Sequence, residues 1–434
     1  MPLERFSIGI GDRFGHQGVA QLRALQRAAE QGVGLTPVWN KSHREHTIIG
    51  TNPAMARRAA DEAVRTAGWN APYFVDADHI GLKSVDLFLA SSDFFTIDVA
   101  DFIGKPAPEQ ELQAFLRAMG PFRNGLSIPG IATPFRISDD DILAVGRKYL
   151  LAVIEAGRIY RHIASAKDGR AIVIEVSIDE AEQPQSPVEL FFLLGALAEQ
   201  KVPVSTIAPK FTGHFLKGID YVGDVRQFAT EFEQDVCVVA HAVRAFGLPD
   251  GLKLSVHSGS DKFSLYPVIH RIIKARNAGL HLKTAGTTWL EELIGLAASG
   301  GQGLALAQTV YRQAYDRMDE LCKPYEYVIR IDRGKLPSPN EVSGWSSDAF
   351  VRALRHDPAE PAYDPNVRQL LHIGYKVAAE MGPIYLDMLV RSRAIIGAHV
   401  TENLYDRHIA PVFLGTTTAR ATSGAPSIAT SNHV

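Results

Sequence analysis

Short apolar runs alternate with stretches of helical periodicity along the first 290 residues of the chain. Eight of these runs are strand-like and end in polar residues: Phe6–Gly11, Leu35–Trp39, Tyr73–Asp78, Phe94–Val99, Ala171–Ile178, Val202–Pro209, Leu252–His257 and Leu280–Thr284. Amphipathic helical patterns lie between them, at Gly18–Gln31, Asn52–Ala67, Val188–Gln200, Asp224–Ala245 and Tyr266–Asn277. This alternation predicts a parallel sheet with crossover helices, and eight strands is the number of a (β/α)8 TIM-type barrel. A doubly wound open sheet is the alternative.

The pattern also predicts how the chain is divided. Residues 1–300 would form the barrel, with an insertion at about 101–170 that contains a long helix near Asp139–Ala166. Residues 301–415 would form a helical extension packed on the barrel. Helical periodicity after residue 290 covers Glu291–Ala298, Leu304–Glu320, Asn366–Glu380 and Ile384–Leu404. Residues 416–434 are small and polar, which predicts a disordered tail.

Composition narrows the classes of function. The net charge is −3 and no basic tract occurs, which argues against nucleic-acid binding. Only Cys237 and Cys322 are present, so we expect no disulfide framework and a reducing compartment. The chain shows no secretory signal pattern and no apolar run long enough to span a membrane. These features favour a cytoplasmic enzyme of small molecules, and they leave the oligomeric state, including a homo-oligomer, open.

Candidate chemistry lies where the strands end, because the active sites of (β/α)8 barrels form at the carboxyl ends of the strands. The third strand ends in Asp78 and His79, the sixth leads to His214, and the seventh ends in His257. Three imidazoles can hold one divalent metal and leave a coordination position open for substrate. We therefore predict His79, His214 and His257 as metal ligands, with Asp78 as a proton acceptor beside them. A single histidine is more often a surface or capping residue than a metal ligand.

Basic residues also follow several strands. Lys41, Arg44, Lys83, Lys210 and Lys283 could be solvated loop charges, but together around one barrel mouth they would receive an anionic substrate. Lys41, Arg44, Lys210 and Lys283 are the candidates for substrate binding. The sequence HREH at 43–46 is not the HExxH pattern of zinc proteases, and no nucleotide-binding glycine pattern occurs.

Long stretches of the chain match one known family. They include IGIGDRFGHQG at 8–18, PVWNKSHREHTIIGT at 37–51, YFVDADHIGLKSVDLF at 73–88, IAPKFTGHFLKGIDYVGD at 207–224 and GLHLKTAGTTWLEEL at 279–293. At these stretches the chain resembles the tagaturonate epimerase family, up to about residue 415. The resemblance implies a metal-dependent epimerase that interconverts D-tagaturonate and D-fructuronate in hexuronate catabolism. The two keto acids differ at carbon 4 while the ketone is at carbon 2, so retro-aldol cleavage and recondensation is the expected chemistry.

A more distant likeness is to class II metal-dependent aldolases, which are barrels with three zinc-binding histidines. His79, His214 and His257 match these in order and local pattern, and that family also uses a glutamate after the fifth strand. The resemblance implies Glu175 as the second catalytic group, which would donate or relay a proton, although Asp179, Glu180 and Glu182 remain alternatives. It implies zinc as the metal; imidazole ligands also accept Mn, Co and Ni.

Three other functions remain open. The protein could be a class II-type aldolase or a sugar isomerase that acts on a related keto sugar acid. It could epimerise by removing and returning the proton on the inverted carbon. It could also be a sugar-acid binding protein without turnover, but the density of acids and histidines at the strand ends disfavours this.

Overall fold

The computed structural model describes residues 3–284 and 286–416. Eight parallel strands form a closed barrel in chain order, β1 to β8, and β1 pairs with β8 to complete it. The strands are β1 Phe6–Ile10, β2 Thr36–Ser42, β3 Phe74–Ile80, β4 Phe94–Asp98, β5 Val173–Ser177, β6 Val204–Ala208, β7 Lys253–His257 and β8 Leu280–Lys283. The predicted (β/α)8 barrel is therefore confirmed, and the open sheet is not found.

The inside of the barrel changes from apolar to polar along the strands. A small buried cluster closes the amino-terminal end: Leu3, Val38, Phe74, Phe94 and Val173. Residues two positions further along a strand share the same face. At those positions stand four buried polar residues: Asn40, Asp76, Thr96 and Glu175. The interior of the barrel is therefore apolar at its amino-terminal end and polar at the end where the strands finish.

Helices surround this barrel, and several begin with a serine whose side chain caps the helix and a carboxylate that caps in return, as at Ser42 with Glu45 and Ser186 with Glu189. These helices are α1 Gly18–Glu30, α2 His43–Ile49, α3 Pro53–Ala67, α4 Glu109–Met119, α5 Asp139–Lys167, α6 Pro187–Glu199, α7 Val225–Phe246, α8 Tyr266–Ala275 and α9 Gly286–Ala298. The long α5 lies in the predicted insertion and packs against α4 and α6.

Only helices follow β8 in the part of the chain that the structure describes. They are α10 Gly301–Asp316, α11 Met318–Cys322, α12 Pro339–Ser343, α13 Ser347–Leu354, α14 Pro365–Ile373, α15 Tyr375–Glu380, α16 Pro383–Arg391, α17 Arg393–Glu402 and a π-helix Asn403–Leu414. Short 3-10 turns occupy Val85–Leu87, Ala100–Phe102, Gly120–Phe122, Lys323–Tyr325 and Arg333–Lys335. The carboxyl-terminal helices share a second apolar core with α9, and α17 also contacts α1.

Two further sequence predictions concern the carboxyl-terminal tail and membrane-spanning helices. The disordered tail predicted at 416–434 lies outside the described residues, apart from Thr416. Within 3–284 and 286–416, no helix combines the length and the apolar character that crossing a membrane requires.

Candidate metal centre

The floor of the barrel mouth is a buried group of charges around Lys283. Its Nζ lies 3.0 Å from an Oδ of Asp76, 2.8 Å from an Oδ of Asp78 and 2.8 Å from an Oε of Glu175. Burial alone would lower the pKa of Lys283, but the three carboxylates outweigh it and raise the pKa well above its usual value. One ammonium among three carboxylates leaves the floor negative, which favours a cation above it.

Strand β3 ends in an irregularity that turns two neighbouring side chains to one side. Its pairing with β4 slips between Ala77 and Ile80, and His79 has a φ of 51°. Neighbouring side chains of a regular strand face opposite sides, and a non-glycine residue with positive φ is uncommon. The bulge breaks the alternation, so Asp78 and His79 both line the cavity at the barrel mouth.

Two imidazoles and one carboxylate converge above this floor. His79, Asp179 and His257 each offer a ligand atom, and these atoms all lie within 4.8 Å of one another. Asp179 lies between the rings, 3.6 Å from Nε2 of His79 and 3.1 Å from Nδ1 of His257. No other group of three such side chains lies as close within 3–284 and 286–416. Two histidines with a carboxylate are a common donor set for catalytic divalent metals.

The remaining nitrogen of each imidazole faces a second carboxylate. Nδ1 of His79 lies 3.0 Å from Asp78, and Nε2 of His257 lies 2.8 Å from Glu175. Histidines that bind metals usually donate their other N–H in this way, which fixes the tautomer and the ring plane. Nδ1 of His257 is buried, and within the described part of the chain it faces Asp179 without the geometry of a hydrogen bond. The residues present therefore fit a divalent metal.

The acids and histidines of this cluster stabilise one another in their charged forms. Burial alone would lower the pKa of His79, but Asp78 and Asp179 outweigh it and raise the pKa well above its usual value. Burial would raise the pKa of Asp179, yet His257 and His79 lower it well below its usual value. The carboxylates thus hold positive charge at this position, which protons supply when no metal is bound.

The centre lies in a cavity of about 680 Å³, a volume typical of small-molecule sites. A model of the tagaturonate epimerase family matches residues 1–409. The chain belongs to the tagaturonate epimerase family. This confirms the predicted family, and it makes the protein an epimerase within the isomerase class.

Individual relatives agree with this assignment. The chain is 28% identical over 418 residues to the tagaturonate/fructuronate epimerase of Thermotoga maritima, covering 94% of this chain and 79% of that protein. Its fold matches the native crystal structure of fructuronate-tagaturonate epimerase UxaE from Cohnella laeviribosi with a TM-score of 0.77. That match is 24% identical and covers 95% of this chain and 82% of the other. A glycerol complex of the same Cohnella protein matches with the same TM-score.

The structure brings most of the predicted site residues together, but His214 stands apart from the cluster. His214 is exposed on the cavity wall, and its Nε2 lies 3.0 Å from Nη2 of Arg330. Its backbone pairs with that of Val222, which fixes the loop after β6. Burial lowers the pKa of His214, and the cations Arg330 and Lys210 lower it further. The assignment of His214 as a metal ligand stays a prediction, and Asp179 takes the third place in the observed cluster.

The four cations predicted to bind the substrate differ in whether they reach the cavity and in what already surrounds them. Arg44 and Lys210 line the cavity. Lys41 does not, because it faces away from the barrel interior and its Nζ donates to the carbonyl of Arg13 at 2.9 Å. Lys283 reaches the cavity, but three carboxylates already surround its ammonium. No pattern in the sequence indicates these two arrangements.

The charged residues of the cavity include Arg13 and Lys217, which were not predicted, and Asp179, which was predicted only as an alternative to Glu175. Asp179 follows β5 and Asp78 lies near the end of β3, so the rule of polar residues at strand ends points to both. The same rule points equally to Glu180 and Glu182, and only the fold separates them. Glu175, the predicted second catalytic group, is fully buried and is not part of the cavity lining.

Proposed function

We propose that this protein is a divalent-metal-dependent epimerase that interconverts D-tagaturonate and D-fructuronate. The observation that carries the proposal is the cluster of His79, Asp179 and His257 at the barrel mouth of a tagaturonate epimerase family member. The Thermotoga relative is named for the same two keto acids. Zinc suits this donor set best, and Mn, Co and Ni accept the same ligands.

The chemistry must invert a carbon whose hydrogen is not acidic. Carbon 4 is two bonds from the ketone at carbon 2, so enolisation does not activate its hydrogen. Loss of the proton from the hydroxyl on carbon 4 allows the bond between carbons 3 and 4 to break, and its electron pair forms an enolate across carbons 2 and 3. The new aldehyde rotates, the bond reforms on its other face, and the hydroxyl regains a proton. A metal held by the cluster would supply Lewis-acid polarisation of the ketone.

Asp78 is the proposed acceptor of the hydroxyl proton. It lines the cavity beside the cluster, and it is ionised because Lys283 and His79 outweigh burial and hold its pKa well below the usual value. The low pKa also favours return of the proton once the bond has reformed. Lys283, 2.8 Å from Asp78, keeps this carboxylate in place.

Glu175 acts on the site through its neighbours in this proposal. It accepts from Thr206 at 2.6 Å and contacts His257 and Lys283 at 2.8 Å each. These contacts favour a role in orienting His257 over direct contact with substrate. The donor or relay role predicted for Glu175 remains a prediction.

The test uses the purified protein and pure D-tagaturonate. The protein is assayed after treatment with a chelator and again after Zn, Mn, Co or Ni is returned. We expect D-fructuronate to form only with metal present, and no deuterium at carbon 4 when the reaction runs in heavy water. Deuterium at carbon 4 would overturn the cleavage mechanism.

Other products of the same assay would overturn the assignment itself. Accumulation of two smaller fragments would indicate an aldolase, and an aldose would indicate an isomerase. Tight binding of the keto acid without any turnover would indicate a binding protein. Full activity after complete removal of metal would refute metal dependence.

A further inference from the structure

Besides Lys210, three cations line the cavity apart from the residues of the metal cluster and the charged floor. Arg13 follows β1, Arg44 lies in α2, and Lys217 follows β6. We call Arg13, Arg44 and Lys217 the cationic wall. Within residues 3–284 and 286–416, neither Nζ of Lys217 nor the guanidinium of Arg44 has a hydrogen bond or an ion pair. Two of the three charges are thus free to meet a ligand.

Two tyrosines of the carboxyl-terminal helices hold the arginines in position. The guanidinium of Arg13 lies over the ring of Tyr375 at 4.7 Å, and that of Arg44 lies over the ring of Tyr325 at 5.1 Å. The two tyrosine hydroxyls are 2.6 Å apart. A planar guanidinium stacked on an aromatic ring keeps its N–H edges available for a carboxylate. The pair is therefore arranged before any ligand binds.

The backbone around Lys217 is fixed from several sides. Its N–H donates to the carbonyl of Val328 at 2.8 Å, and the carbonyl of Gly218 accepts from Arg368 at 2.6 Å. Lys262 donates to the carbonyls on both sides, those of Leu216 and Ile219. These hydrogen bonds hold the backbone around Lys217 in place, so Lys217 is a fixed part of the cavity wall.

The cationic wall carries more positive charge than the neighbouring acids neutralise. Glu45 pairs with Arg13, and Glu180 is the other acid near Lys217 on the cavity lining. Burial lowers the pKa of Lys217, and the charges of Arg44 and Arg13 lower it further. Those acids do not offset this repulsion, so a bound carboxylate would relieve it.

We propose that the cationic wall binds the terminal carboxylate of the substrate and so selects a sugar acid over the neutral ketose. This inference rests on the proposed function and adds the residues that set its substrate class. It moves the carboxylate contact from Lys41 and Lys283, which are otherwise engaged, to Lys217 and Arg44, while Arg13 adds positive charge and stays paired with Glu45. The reacting carbons then face the metal cluster while the far end of the molecule is held by the wall.

The test compares two substrates in each variant. One is the keto acid, and the other is the neutral ketohexose that carries a hydroxymethyl group in place of the carboxylate. We expect K217M and R44M to lower kcat/KM for the keto acid about 10- to 100-fold, the range of one charge-assisted hydrogen bond. The kcat/KM for the neutral ketose should change little, and K217R should recover part of the loss.

The matched control is Lys335→Met, which removes an exposed cation of the carboxyl-terminal region, outside the cavity lining. We expect it to leave both values unchanged. Equal losses on both substrates, or no loss on the keto acid, would overturn the inference. If the unaltered protein turns over neither substrate, the proposed function fails instead. Calorimetric binding of the keto acid then tests the wall, which predicts weaker binding in K217M and is refuted by equal binding.

Discussion

At the scale of single residues, the metal centre depends on which side chain supplies its third ligand. Asp179 lies between His79 and His257, whereas His214 faces Arg330. We expect Asp179→Asn to lose most of the bound metal and at least about 100-fold of the activity, and His214→Ala to keep its metal. Elemental analysis of the purified proteins measures both. Metal lost from His214→Ala but retained by Asp179→Asn would restore the three-histidine set.

A substitution at Glu175 tests whether this residue positions His257 or transfers a proton. Glu175→Gln should weaken metal binding about 10- to 100-fold, because the amide holds the ring of His257 less well than the carboxylate. The matched control is Thr206→Val, which removes one contact of Glu175 and keeps its contact with His257, so its effect should be smaller. Titration of the chelated protein with metal gives the affinity. A lower kcat at unchanged metal affinity would instead support the proton-transfer role predicted from sequence.

Sequence could predict those residues whose position in a strand decides their role. Asp78, His79 and His257 lie at or near the carboxyl ends of their strands, so the barrel rule brings them to one mouth. Lys41 stands one position from Asn40, and that single step turns it away from the barrel interior. Lys283 does face inward, but the carboxylates that neutralise it come from other strands. Contacts between strands that are distant in sequence leave no local pattern from which they could be predicted.

At the scale of elements, the strands were predictable and the carboxyl-terminal helices only in part. Each strand pattern predicted its strand because buried parallel strands are short apolar runs between turn residues. The single helix predicted over Asn366–Glu380 is two helices, Pro365–Ile373 and Tyr375–Glu380. Both halves bury residues in the same core, so the apolar period continues across the break at Gly374. The short helix α2 was missed, although its serine and glutamate cap was present in the sequence.

The start of α9 approaches the loop after β7 so closely that only glycine fits. A Cβ on Gly286 would overlap the carbonyl oxygen of Gly259 and lie 3.2 Å from Nε2 of His372. We expect Gly286→Ala to cost about 1–3 kcal/mol of stability and to lower activity, because the loop that follows His257 must shift. Chemical denaturation and the epimerase assay check this. Gly34→Ala is the control, since a Cβ there meets nothing within 4 Å; equal stability of the two variants would contradict the argument.

At the scale of the whole molecule, the carboxyl-terminal helices complete the barrel mouth. Arg368 is fully buried and donates to the carbonyls of Gly218 and Leu354 and to the carboxylate of Asp261. It thereby joins the loops after β6 and β7 to the helices that follow the barrel. The extension is therefore part of the site, and sequence periodicity could predict its helices but not this contact.

The pH dependence of global stability contains a contribution from one buried carboxyl on α9. Glu291 accepts from Asn403 at 3.0 Å, and burial raises its pKa to about 7 against the opposing charge of Arg368. As pH rises above about 4.3, the unfolded chain loses this proton first. The folded state therefore loses stability up to about pH 7 and keeps the deficit above it, roughly 4 kcal/mol in size.

Replacing this carboxyl with an amide should remove the deficit. The amide cannot ionise, so Glu291→Gln should raise the melting temperature relative to the unaltered protein more at pH 8 than at pH 5. Thermal unfolding at both pH values measures the difference, and the exposed Glu199→Gln should show none. A gain of the same size at both pH values would mean that packing, and not ionisation of Glu291, sets the effect, because only ionisation separates the two conditions.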